Sequence, residues 1–148
     1  MLEAIFTGIG GADLAMTANR IAVGAFFCVT GGFKLIKPSW RVGLAKTLRD
    51  AHVPFVKFNT WWVPSVEFAA GGACIIGLLA PLAAAGLLTI MLVALYSDGG
   101  RKVHDLDPES PLETADDWLY IPETLYALML ISIICAGSGP YSLDALTR

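Results

Sequence analysis

Residues 63–98 read VPSVEFAAGGACIIGLLAPLAAAGLLTIMLVALYSD, and the thirty consecutive residues from Phe68 to Ser97 carry no charged side chain. A single helix of that length would run about 45 Å at roughly 1.5 Å per residue, well beyond the roughly 30 Å hydrocarbon core of a bilayer. The stretch must therefore be divided, and Ala80-Pro81 is the place. Proline brings no N–H and disfavours helix in the residue before it. Val63 to Leu79 and Leu82 to Ser97 are thus expected as two antiparallel helices joined by a very short turn, which lets an apolar chain satisfy its backbone in lipid.

The rest of the chain agrees with a membrane setting. Its 148 residues suit one domain, residues 1–148, and 55% of them are hydrophobic against 16% charged. A mean hydropathy of +0.63 lies outside the range of soluble globular chains. Charge is segregated: six of ten Lys/Arg fall between Lys34 and Lys57, and eight of thirteen Asp/Glu between Asp98 and Glu123. The basic segment is short and adjoins an apolar span, so it is not the footprint of a nucleic-acid-binding protein. The N-terminus carries Glu3 and Asp13 in place of the basic start of a secretory signal, and no cleavage is expected. Cys28, Cys74 and Cys135 sit in three different apolar segments without a CxxC pair, which makes them packing residues before redox centres.

Working outward, a first span is expected over 14–33. Arg20, Gly24, Cys28 and Gly31 recur there at four, four and three, one helical face that should turn inward. Lys34 and Lys37 mark its end, placed to snorkel to the interface. Pro38 to Phe58 reads as a short amphipathic helix lying on anionic headgroups, with Trp40, Leu44 and Leu48 on one side and Arg41, Lys46 and Arg49 toward the other; the alternative is a solvated loop. Trp61-Trp62 opens the second span, over 63–79, at an aromatic belt. The third runs over 82–97, residues 98–118 form a polar acidic loop, and the fourth covers 119–136. The fold class is all-α, a transmembrane four-helix bundle with an interfacial helix between spans one and two. Segments 34–57 and 98–118 hold eight of the ten Lys/Arg, so the positive-inside rule makes them cytoplasmic and puts both termini outside. The membrane is then the inner, or plasma, membrane.

These residues resemble the DoxX family of small four-span membrane proteins. The resemblance is carried by Arg20, by Gly31-Gly32 followed by Lys34, by Glu67 and the later Gly77-Leu78, and by Gly139-Pro140-Tyr141-Ser142-Leu143-Asp144. It covers roughly Arg20 to Leu146. It implies a four-helix bundle associated with membrane redox systems, since members include relatives of the subunits of thiosulfate:quinone oxidoreductase and a protein proposed to link thiol and superoxide-handling enzymes to the membrane. The long acidic stretch Asp98 to Asp117 departs from the simpler members.

Ionisable groups inside spans are the natural candidates for function, because each is costly there, on the order of 2.5–3.5 kcal/mol at the centre on insertion scales. Glu67, Glu123, Asp98 and Lys34 all fall near the cytoplasmic boundary, one from each span, and Tyr126 lies one turn beyond Glu123. Together they form a candidate polar pocket for a quinone headgroup, a cation or a proton. The plainer reading is an ion-pair network that fixes bundle registry, with Tyr126 a packing aromatic. At the outer end, Arg20 and Asp144 are expected to form a structural ion pair that folds the tail over the bundle, and the planar fork of arginine allows it to be bidentate. His52 and His104 are too few and wrongly placed for a bis-His haem in the membrane, and His104 to Asp107 reads as solvated loop before metal site.

The expectation is a membrane subunit of a respiratory or thiol/sulfur redox complex. It has no cofactor of its own, a quinone being the one that could sit in the pocket. Its partners would be lipid and other proteins of the complex, or further copies of itself. A stand-alone membrane oxidoreductase using the carboxylate pocket and a small oligomeric transporter are the rival classes. A transporter would call for internal repeats or broken helices at the midplane, which the sequence does not display.

Overall fold

The computed structural model describes residues 11–106 and 110–147, which are helix, turn and connecting chain without a strand among them. Glu3, in the N-terminal stretch, and Asp107, in the His104 to Asp107 run, lie outside the described residues. Helix α1 spans Ala12–Ile36, α2 Pro38–Asp50, α3 Val56–Ile76 and α4 Ala80–Ala94. A π-helical turn, Leu95–Gly99, carries α4 without a break into α5, Gly100–Asp105. Helices α6 (Pro111–Tyr120), α7 (Pro122–Ala136) and α8 (Leu143–Leu146) follow.

Proline sets the joints. Pro38, Pro81, Pro111 and Pro122 all lie in the first turn of a helix, where the missing N–H has no partner to lose. The divider at Pro81 therefore falls inside α4. The turn itself is Gly77 to Leu79, with Gly77 and Leu79 in left-handed conformation at φ 72 and φ 47. Ile121 is extended because a proline follows it, so α6 and α7 meet at a 70° bend. The fourth apolar helix consequently begins at Pro122 and not at Leu119.

Residues 98–118, expected as a loop, are mostly helical. Asp98 to Asp105 continue the α4 rod, and Ser110 caps α6 by accepting from the Glu113 N–H. Ser110-x-x-Glu113 is the spacing of a capping box, which starts a helix in a segment whose polarity alone suggests coil. Among the described residues, two helices are by length and composition able to cross a membrane, Ala12–Ile36 and the rod Ala80–His104. The bent pair α6–α7 makes a third if it counts as one span. Helix α3, with Lys57, Asn59 and Glu67 in its sequence, is not among them.

The four long helices close a ring: α1 packs on α3, α3 on α4, α4 on α7 and α7 on α1. Val23 and Phe27 from α1, Cys74 from α3, Leu87 and Met91 from α4, and Leu130 and Ile133 from α7 fill its centre. The inward face of α1 includes Arg20, Gly24 and Gly31, as the spacing requires. On α3 the contact runs through Gly71, which is buried, whereas Ala69 is exposed and Ala73 half-buried.

Glycine lets α1 and α3 touch backbone to backbone. A Cβ on Gly24 would lie 2.7 Å from the Gly71 carbonyl oxygen, and one on Gly71 would lie 2.6 Å from the Cys28 nitrogen. Backbone cannot step aside as a side chain can, so Gly71→Ala must pry the helices apart. We expect it to destabilise by about 1–3 kcal/mol, the usual cost of overpacking, whereas Gly72→Ala, which meets nothing within 4 Å, should be nearly neutral. Paired thermal unfolding in detergent micelles checks the contrast; equal melting of the two variants would rule out the backbone contact.

Candidate functional site

The structure divides the four charged residues of the predicted pocket between two separate ion-pair groups. Lys34 closes one end of α1 and points at α3, where its Nζ donates to both carboxylate oxygens of Glu67 at 2.7 Å. Glu67 is buried at 4% exposure, and Gly31, on the turn of α1 before Lys34, leaves room for its Cβ. The pair is formed because Gly31 brings the two helices within reach at this level. Among the described residues Glu67 is the only buried carboxylate.

Asp98 and Glu123 belong to the second group. Asp98 lies in the π-helical turn and meets cations one turn further along its own rod, Arg101 at 3.0 Å and Lys102 at 3.5 Å. Arg101 also reaches Asp50 at the end of α2, at 3.3 Å, and Lys102 reaches Glu123 at the start of α7, at 2.9 Å. Three elements are thus laced together by five charges, most of them in contact with solvent. Exposed pairs of this kind contribute about 0.2–1 kcal/mol each. One Glu123 oxygen, Oε2, is buried without a hydrogen-bond partner.

Tyr126 joins neither group. Its ring stacks on Phe26 at 4.1 Å and contacts Phe27 edge-on, fastening α7 to α1. One turn nearer the other end Asn19, a residue the sequence reasoning passed over, donates to the Met129 carbonyl and to Ser132 Oγ. A lone amide in an apolar run was its only signal. Asp50, Arg101 and Lys102 were also missed, because their segments read as surface.

At the opposite end of the bundle Arg20 is fully buried and spans α1, α3 and the tail. Nη1 donates to the Cys74 carbonyl at 3.2 Å and Nη2 to the Tyr141 carbonyl at 2.6 Å, while Nε has no partner. Cys74 belongs to the last turn of α3, whose carbonyls lack helical donors and favour a cation. Asp144 takes other partners: its Oδ1 accepts from the Leu79 N–H at 2.9 Å, its Oδ2 from the Ser138 hydroxyl, and its own N–H donates to the Gly77 carbonyl at 3.1 Å. The expected Arg20–Asp144 ion pair is therefore replaced by two sets of bonds that converge on the Gly77–Leu79 turn. The carbonyls of Cys74 and Tyr141 take Arg20, and the Leu79 N–H at the start of α4 takes Asp144.

Helix lengths, apolar composition and buried charge define an all-α membrane protein. A family model for DoxX matches residues 15–98, 84 of the 148 in the chain. The chain belongs to the DoxX family. The matched range holds Arg20, Lys34, Glu67 and Gly77 and ends at Asp98, so the Gly139 to Asp144 tail lies beyond it. No curated protein and no solved structure matches the chain.

Proposed function

We propose that the chain is an integral membrane subunit of a respiratory or thiol/sulfur redox complex, crossing the inner membrane four times with both termini outside the cytoplasm. The observation that carries this reading is the charged platform at one end of the bundle. Asp50, Asp98, Arg101, Lys102 and Glu123 present mixed charge there, on helices that extend past the apolar part of the ring. Such a network adds little to the stability of the bundle, and it suits docking of a partner outside the bilayer. The Lys34–Glu67 pair lies toward the same side and is the candidate for a proton or quinone role. Both the redox association and the quinone rest on the family resemblance, which is a fold-level analogy.

Two results are expected. Arg101→Gln with Lys102→Gln should change the stability of the isolated subunit by less than about 1.5 kcal/mol yet weaken partner retention, most strongly at low salt, where the charges of the parent are least screened. Thermal unfolding beside salt-dependent co-purification reads both, and a collapse of the isolated subunit would assign the network to the fold instead. The reading as a whole is tested by native mass spectrometry of the protein extracted in mild detergent, with an absorbance spectrum of the same sample. Flavin-, haem- or metal-bearing partners are expected. A lone homo-oligomer with its own chromophore or quinone would instead make it a stand-alone oxidoreductase, and one without either would favour a transporter.

A further inference from the structure

Where α2 ends and α3 begins, a groove of about 480 Å³ is lined by Arg49, Phe55, Val56, Lys57 and Phe58. Arg49 and Lys57 are exposed, and neither side chain has an ion-pair or hydrogen-bond partner among the described residues. The nearest acid in sequence, Asp50, is engaged with Arg101. This sets the two cations apart from Arg101, Lys102 and Lys34, which are all neutralised within the chain.

Apolar rings border the same groove. Phe55 is 80% exposed, and Phe58, also exposed, stacks on Trp62 at 5.7 Å. Phe55 is held in the left-handed backbone region at φ 54, a conformation uncommon for so bulky a residue. The backbone strain places a large apolar side chain outward, beside two cations. A soluble anion would use the cations and leave the rings in water; an apolar chain would use the rings and strand the charges. A ligand charged at one end and apolar at the other satisfies both.

We infer that this groove binds the headgroup phosphate of an anionic phospholipid, with Arg49 and Lys57 on the phosphate oxygens and Phe55 and Phe58 against the adjoining glycerol and acyl chain. Arginine offers a fork that matches phosphate and lysine a point charge. The location is consistent: Trp61 and Trp62 lie together in the second turn of α3, and such aromatic rings settle at headgroup level. The site goes beyond general attraction of a basic helix to a charged surface, because it names two of the six cations of that segment and predicts that the others are dispensable.

The test uses the full chain in nanodiscs of phosphatidylcholine with phosphatidylglycerol as minor lipid, followed by native mass spectrometry of the lipids that stay bound. Phosphatidylglycerol should be retained in preference. Arg49→Gln with Lys57→Gln should reduce that retention about 30-fold, while Lys46→Gln, an exposed cation on α2 outside the groove, should leave it intact. Phe55→Ser should also lower retention. If the double variant does not fold, Lys57→Gln alone serves, with a loss of about fivefold. Equal retention of the two lipids, undiminished retention in the variants, or displacement by millimolar inorganic phosphate would overturn the assignment, the last by making it a site for free anions.

Discussion

Gly77→Ala should abolish stable folding, or lower stability by more than about 4 kcal/mol, through the addition of one methyl group. Three independent penalties meet at this position. Gly77 is at φ 72, where a Cβ costs roughly 1–2 kcal/mol. The added Cβ would overlap the Arg20 guanidinium, with Cζ at 2.8 Å, and would run into the Ser142 side chain as well. Arg20 is buried in the protein and has no solvent-facing rotamer to retreat to without losing its bonds to Cys74 and Tyr141. Leaving a buried charge without its partners costs about 3–5 kcal/mol in folded proteins. Gly86→Ala provides the internal control, because a Cβ there meets nothing within 4 Å. Monodisperse yield and melting temperature in detergent decide the matter; a Gly77→Ala protein that melts within a degree or two of the parent would show that the Arg20 clasp does not hold this end of the fold.

Lys34→Met should destabilise by about 3–5 kcal/mol, because it strips the cation from a carboxylate that is buried between two helices in near backbone contact. The carboxylate cannot swing to water, since Glu67 faces α1 at the level of Gly31. Removing both charges is a different matter. Lys34→Met with Glu67→Leu replaces the pair by packed apolar atoms and should recover most of the loss, as buried pairs often do when exchanged for hydrophobic residues. A double-variant cycle on melting measures the coupling, and additive single losses without recovery would mean that each residue acts through some other contact. The same variants separate architecture from chemistry: Glu67→Gln keeps the shape and an acceptor for Lys34. Unchanged turnover of the parent complex with that variant would leave the pair a structural one, whereas lost turnover with intact assembly would place a proton or quinone step there.

The fold was largely legible where physics leaves few choices. Thirty uncharged residues had to be cut near Pro81, and Arg20, Gly24 and Gly31 had to share a face; both expectations rest on helix geometry alone. Polarity misled over residues 98–118, where acidity suggested coil although the Ser110–Glu113 spacing announced a helix start. The π-helical turn at Leu95–Gly99 has no comparable sequence mark. At the site, residue type and depth picked out Lys34, Glu67, Asp98 and Glu123, but depth cannot say which neighbour each carboxylate will take. Asp98 found cations three and four residues along its own helix, a choice that required the rod to continue. Arg20 chose backbone carbonyls, and these acceptors are present at every residue and so leave no trace in a sequence.

The wide turn in the α4 rod has an angular consequence. Met91 and Val103 both face inward, yet twelve residues at about 100° each would leave them about 120° apart on an ordinary α-helix. A π-helical turn absorbs one extra residue without advancing the winding, so the mismatch falls to about 20°. Leu95–Gly99 therefore acts as a phase corrector between an apolar half that packs in the ring and a polar half that carries Arg101 and Lys102. Deleting one residue within it should leave both halves facing as they do now. Deleting one between Ala84 and Met91 should turn the whole polar half by about 100°, and carry Lys102 away from Glu123.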